Sequence, residues 1–100
     1  MANKGRSGPA REAAEALAIQ ALSFIAQDGE RLGLFLSLTG IGPGEIRSAA
    51  REPQFLVGVL DYLVADEPLL TEFARDAGHD PSTVEAARIA LGGGWERDIP

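Results

Sequence analysis

Apolar and polar positions along this chain follow a spacing typical of amphipathic helices. Between Arg51 and Gly94, turn residues separate three apolar blocks, and each block begins with an acidic residue and a proline close together. The acidic residue caps the helix, and proline fits the first turn because its missing N–H needs no partner there. Gly78 and Gly92 stand where left-handed C-terminal caps belong. The pattern predicts helices over residues 53–65, 67–77 and 81–91.

The N-terminal half predicts three further helices, over residues 9–27, 30–38 and 43–51. The first is apolar nearly all round, because only Gln20, Ser23 and Gln27 form a polar stripe. A helix exposed to water on so narrow an arc has neighbours on most sides, so we expect it at the centre of the fold. The alternation of leucines over residues 34–38 would suit a strand, but the chain offers no partner strand to pair with it.

These elements predict an all-α fold, a compact bundle of five or six helices joined by short loops. One hundred residues suffice for one domain with a genuine core. We expect a flexible N-terminal tail over residues 1–9, a single helical domain over 10–94 and a C-terminal tail over 95–100. Trp95 in the last segment either folds back onto the core or anchors a partner.

Composition adds limits to function. Apolar residues make up 45% and charged residues 24% of the chain, which is the balance of a soluble globular protein. The net charge of −6 arises in the C-terminal half and disfavours binding to phosphate backbones. No signal peptide or membrane-spanning stretch is evident, so we expect a cytoplasmic protein without a membrane partner.

No group of residues predicts catalysis. Cysteine is absent and His79 is the single histidine, so a metal site would need carboxylates to complete it. Asp61, Asp66 and Glu67 lie close together in the sequence, but the last two suit a helix cap and first turn. We therefore expect no enzyme activity, no cofactor, no metal and no small-molecule ligand.

The turn Gly40-Ile41-Gly42-Pro43 is similar to the helix-hairpin-helix motif of DNA-binding proteins. In that motif, backbone N–H groups of a glycine-rich turn point at a phosphate. Arg47 would assist, whereas Glu45 places a negative charge beside the phosphate. Nucleic-acid binding through Gly40, Gly42 and Arg47 is therefore an alternative function, and a turn that only connects two helices is favoured over it.

Residues 46–94 also resemble a known family. The run PQFLVGVLDYLVADEPLL and the ending that joins Asp80-Pro81 to ARIALGG are similar to a small alphaproteobacterial family, the domain of unknown function 3572. The resemblance covers roughly residues 11–94. It implies no activity, cofactor or functional residue.

The remaining inference concerns partners. The predicted first, second and fourth helices are apolar over more of their circumference than a chain of this length can easily cover. An apolar surplus that stays exposed marks a protein-binding patch or a homodimer interface. We expect a non-catalytic interaction or adaptor module, and the candidate contact residues are Phe55, Val59, Tyr62, Leu69 and Phe73.

Overall fold

The helices of residues 29–90 begin and end close to where the sequence predicts, except that residues 43–49 form a 3-10 turn and a four-residue helix where one longer helix over 43–51 is predicted. A computed structural model describes residues 2–92, with side chains from residue 11 onward. This part of the chain forms α1 (Ala2–Ala26), α2 (Gly29–Thr39), a 3-10 turn (Pro43–Glu45), α3 (Ile46–Ala49), α4 (Pro53–Ala65), α5 (Glu67–Ala77) and α6 (Pro81–Ala90). It contains no strand, which confirms the all-α prediction.

Capping residues explain both bounds of α5 and the start of α6. The Asp66 carboxylate accepts a hydrogen bond from the backbone N–H of Leu69 at 3.2 Å, and Asp80 does the same for Ser82 at 3.0 Å. Gly78 ends α5 with a φ of 75°, a left-handed conformation that suits a residue without Cβ. Glu52 was expected to cap α4, but its side chain accepts no such bond. The prediction is wrong there, because the longer glutamate is a weaker cap than Asp, Asn, Ser or Thr.

The N-terminal helix differs from its predicted bounds. α1 begins at Ala2, whereas the sequence predicts a tail before Pro9. Pro9 therefore lies inside α1, where it has no N–H to donate to residue 5. A proline ring inside a helix also crowds the carbonyl four residues before it, which is why the sequence predicts the helix to start there. The predicted C-terminal tail, with Trp95, lies outside the described residues.

α1 and α4 together supply most of the core. α1 packs against α2, α4, α5 and α6, which confirms its predicted central position. Ala18 and Ala21 of α1 are fully buried, and their small side chains allow neighbouring helices to approach closely. The largest fully buried side chains come from five different helices: Ile25, Phe35, Val59, Leu60, Leu63, Phe73 and Val84. No helix among residues 2–92 is long and apolar enough to cross a bilayer.

Candidate functional site

Capping residues fix α2 at both ends. At its start, the Asp28 carboxylate accepts hydrogen bonds from the backbone N–H groups of Glu30 at 3.0 Å and Arg31 at 3.3 Å. At its end, Gly40 adopts a φ of 76° and its N–H donates to the Leu36 carbonyl at 2.8 Å. Both ends satisfy backbone groups that would otherwise lack partners. The start and the end of α2 are therefore both fixed by hydrogen bonds.

The inner face of α2 is anchored by aromatic contacts. Phe35 is buried, and its ring centroid lies 5.1 Å from that of Tyr62 and 5.8 Å from that of Phe55, both on α4. The rings meet edge to face, the geometry that aromatic quadrupoles favour. At the edge of this face, the Arg31 guanidinium lies 5.4 Å from the Phe24 ring centroid and pairs with Glu72 at 3.7 Å. These contacts hold α2 against α1, α4 and α5.

An exposed flank of α2 adjoins the face that Phe35 anchors, and it carries two leucines. Leu34 is 62% exposed and Leu38 is 73% exposed, and their i, i+4 spacing places them side by side on the helix. Two small residues, Gly33 and Ser37, lie beside them, and Glu30 is the charged member of this side. We call these five residues the outer face of α2. A shallow depression runs along Glu30, Gly33, Leu34 and Ser37.

The structure does not expose the contact residues that the sequence predicts. Val59, Leu69 and Phe73 are buried, and Phe73 packs its ring 5.4 Å from that of Phe24 on α1. Phe55 and Tyr62 are half-buried against Phe35. The expectation of an exposed patch is wrong for the three buried residues, because the apolar stripe of α5 and the middle of α4 face the core.

Among the side chains of residues 11–92, two other large apolar ones are exposed, Ile19 on α1 and Ile89 on α6. Scattered single apolar residues are ordinary on protein surfaces. The outer face of α2 differs because it places two leucines one helical turn apart. The sequence held a signal for this, since residues 32, 34, 35, 36 and 38 are all apolar and cannot share one side of a helix.

The turn that resembles a helix-hairpin-helix element closes on itself. The backbone N–H of Gly42 donates to the Glu45 carboxylate at 3.3 Å, so an acidic side chain occupies a donor that a phosphate would need. The helix that follows, α3, spans only four residues. Arg47 is exposed on it. The turn that contains Gly40 and Gly42 therefore lies beside the Glu45 carboxylate. This negative charge disfavours the binding of a phosphate there, and Arg47 is the one basic residue of α3.

Charged side chains elsewhere hold helices together. Arg88 on α6 donates to Glu85 at 2.6 Å and to Asp61 on α4 at 3.1 Å. The hydrogen bonds that Arg88 donates to the Glu85 carboxylate raise the pKa of Arg88 most, and the bond that it donates to Asp61 raises it further. At the start of α6, hydrogen bonds from the backbone and hydroxyl of Ser82 lower the pKa of Asp80. The shift of Arg88 therefore follows from ion pairs within α6 and between α6 and α4, and the shift of Asp80 follows from its role as a helix cap.

His79 contacts side chains of two helices, Gln20 of α1 and Phe73 of α5. Its Nε2 is 3.0 Å from Oε1 of Gln20, and its ring centroid is 6.2 Å from that of Phe73. The hydrogen bond joins the turn before α6 to the middle of α1. Within residues 11–92, no three carboxylates or imidazoles gather as a metal site would require.

Comparison with known proteins identifies the family but assigns no activity. A family model described as "Protein of unknown function (DUF3572)" matches residues 11–94, which include α2 to α6 and most of α1. No curated protein and no solved structure matches the chain. Because the matched segment covers nearly the whole bundle, the chain belongs to the DUF3572 family.

Proposed function

We propose that this protein is a non-catalytic interaction module that binds another protein through the outer face of α2. The observation that carries the proposal is the exposure of Leu34 and Leu38 along a flank of α2 that adjoins the face anchored by Phe35. Because that anchoring fixes the rotation of α2, the leucines cannot turn inward without removing Phe35 from the core.

The energy available at this face suits a binding site. Complete burial of one leucine side chain contributes about 1.5–3 kcal/mol. Because Leu34 is 62% and Leu38 is 73% exposed, burial of the surface that remains would contribute roughly 2–4 kcal/mol in total before the costs of association are subtracted. Their i, i+4 spacing is that of the anchor residues with which a helix enters an apolar groove. Gly33 and Ser37 would let the backbone of a partner come close.

The size of the face favours a transient complex. Eleven residues of helix extend about 16 Å at 1.5 Å per residue. A single helix face of that length falls short of the roughly 800 Å² per partner that stable interfaces bury. An obligate homodimer would need a larger surface still. We therefore favour a separate protein as the partner, with a second copy of this chain as the less favoured occupant.

The charge around the face indicates the chemistry of the partner. Glu30 borders the leucines, and the whole chain carries a net charge of −6. A groove with an apolar floor and a basic rim would match both features and would speed the encounter.

Nucleic-acid binding through Gly40, Gly42 and Arg47 remains the second candidate, and the geometry supports it less well. The Glu45 carboxylate accepts the Gly42 N–H, and the acidic chain repels a phosphate backbone. A gel shift at low salt tests this alternative directly. A shift that Arg47→Glu abolishes would favour it over the protein-interaction function.

The interaction function is tested by capture from a lysate of the native organism with the tagged full chain. The test variant is the double substitution Leu34→Lys with Leu38→Lys, which makes the outer face of α2 basic. The matched control is Ile19→Lys with Ile89→Lys, which changes two exposed apolar residues on other helices. Circular dichroism verifies that both variants keep the helical content of the native chain.

We expect at least one protein to be captured by the native chain and by the control, and to be lost with the α2 variant. Capture that is equal for all three chains would contradict the proposal, because the surface used would then lie elsewhere. Light scattering on the purified chain distinguishes a separate protein from a second copy of this chain as the partner. A dimer of the native chain that is absent in the α2 variant would assign the outer face of α2 to a second copy.

A further inference from the structure

α2 contributes fewer buried side chains to the core than α1, α4, α5 or α6. Its one buried side chain is Phe35, which lies against Phe55 and Tyr62 of α4. Leu32 and Leu36 are half-buried beside it. α4, which is of similar length, contributes four buried side chains: Leu56, Val59, Leu60 and Leu63. Because burial of apolar surface is the main term that favours packing, α2 is held to the bundle less strongly than α4.

The other four long helices pack together without α2. α1, α4, α5 and α6 pack against one another in every pairing, and we call these four helices the frame. An ion pair from Arg88 to Asp61 joins α6 to α4, and a hydrogen bond from His79 to Gln20 joins the turn before α6 to α1. None of these contacts includes a residue of α2. The frame therefore keeps its own packing when α2 is removed from it.

The remaining attachments of α2 are weak or flexible. Arg31 pairs with Glu72 at 3.7 Å, but the Glu72 side chain is 57% exposed, and ion pairs at the surface contribute little. Gly29 begins α2, and Gly40 follows it with a φ of 76°. Because glycine reaches more backbone conformations than other residues, the chain can change course at both ends of α2.

α2 is too short to remain a helix once it leaves the frame. It spans eleven residues, and isolated helices shorter than about 12–15 residues are marginal in water. Detachment would therefore break its backbone hydrogen bonds, such as the bond from the Gly40 N–H to the Leu36 carbonyl. The freed amide protons would then exchange with water. Partial openings of this kind require less free energy than the unfolding of the whole domain.

We propose that α2 opens as one unit while the frame of α1, α4, α5 and α6 stays folded. Opening removes Phe35 from the rings of Phe55 and Tyr62, so the protein has a second state in which these two side chains of α4 reach the solvent. This property concerns the packing of α2 on the frame and does not depend on the proposed function.

Hydrogen exchange of individual backbone amides, followed by NMR at neutral pH, tests the proposal in the full chain. Exchange is measured in the absence of urea and in a series of urea concentrations too low to unfold the protein. The two variants are Asp28→Ala and Asp80→Ala. They are matched, because each carboxylate caps a helix by accepting the backbone N–H two residues further on at 3.0 Å. Asp28 caps α2, whereas Asp80 caps α6 of the frame.

In the native chain, we expect the amides of α2 to share one opening free energy, lower than that of the slowest amides of α4. Urea should lower this free energy less steeply, because opening exposes less surface than complete unfolding does. Asp80→Ala weakens the folded and the open state equally. The amides of α2 should therefore keep their exchange rates in this variant, while the slowest amides of α4 exchange roughly fivefold faster. Asp28→Ala weakens the folded state alone and should accelerate both groups roughly fivefold.

Two results would overturn the proposal. If Asp80→Ala accelerates the amides of α2 as much as those of α4, α2 leaves the frame only when the whole domain unfolds. If the amides of α2 exchange with unequal free energies that urea does not change, they fluctuate one by one, and α2 does not open as a unit.

Discussion

Two substitutions in α2, one at its anchored face and one on its exposed flank, should have very different effects on stability. Phe35 is 1% exposed and packs its ring against Tyr62 and Phe55. Replacing a buried phenylalanine with alanine costs about 3–5 kcal/mol, because contacts are lost and a cavity remains. Leu38 is 73% exposed, and an exposed substitution of this kind changes stability by less than about 0.5 kcal/mol. The predicted difference between Phe35→Ala and Leu38→Ala is therefore at least about 2.5 kcal/mol.

Urea unfolding followed by circular dichroism measures both variants against the native chain. Because a small domain has roughly 5–15 kcal/mol of total stability, Phe35→Ala could leave too little folded protein to measure. Phe35→Leu is then the second variant, since it keeps the apolar volume and loses mainly the ring contacts, worth about 0.5–1.5 kcal/mol for each aromatic pair.

Equal losses for Phe35→Ala and Leu38→Ala would refute the reasoning, because both faces of α2 would then be buried. A loss for Leu38→Ala that grows with protein concentration would have a different meaning. Only association of the folded chain makes stability depend on concentration, so that result would indicate a homodimer through α2.

Three further predictions concern the backbone and the charged groups. Gly33→Ala should stabilise the chain by about 0.5–1 kcal/mol, since a Cβ at this helical position meets no other atom within 4 Å. Gly40→Ala should destabilise the chain, because the positive φ of Gly40 is strained for a residue with a Cβ. Thermal melts of the two variants and the native chain measure both effects. A double-mutant cycle with Arg88→Met and Asp61→Asn should give a coupling energy below about 1 kcal/mol, because the Asp61 side chain is 52% exposed. A coupling energy well above that value would mean that the pair is shielded from water. Asp80→Ala should destabilise the chain at neutral pH. Folding lowers the pKa of Asp80 below its usual value of 3.8, so its contribution to stability is present above that pH and is lost as the pH falls through the lower pKa of the folded state. A difference between Asp80→Ala and the native chain that persists in acid would contradict this cause.

Capping residues, glycines and prolines predicted where the helices begin and end. The apolar pattern was a poorer guide to which side of each helix is buried. α4 and α5 begin and end as expected, because Asp66, Gly78 and the prolines act locally on the backbone. Asp28 also caps a helix, although the helices predicted over residues 9–27 and 30–38 leave it in the connection between them.

The faces depend on tertiary contacts, which local patterns do not contain. The clean stripe of α5 holds Leu69 and Phe73, and such a stripe is itself the mark of a core-facing side. α2 offers apolar residues on more than one side, so its rotation is decided by the fit of Phe35 between Phe55 and Tyr62. An excess of apolar residues was therefore predictable, but the residues left exposed were not.

Site-specific photo-crosslinking tests the central claim most directly. A photoreactive phenylalanine analogue replaces Leu38 in the full chain within the native organism, and a second chain carries it at Ile89 as the control. The account predicts a discrete crosslinked protein species from position 38 that is absent from position 89. Equal crosslinking at the two positions, or none at position 38, would contradict the outer face of α2 as the binding surface.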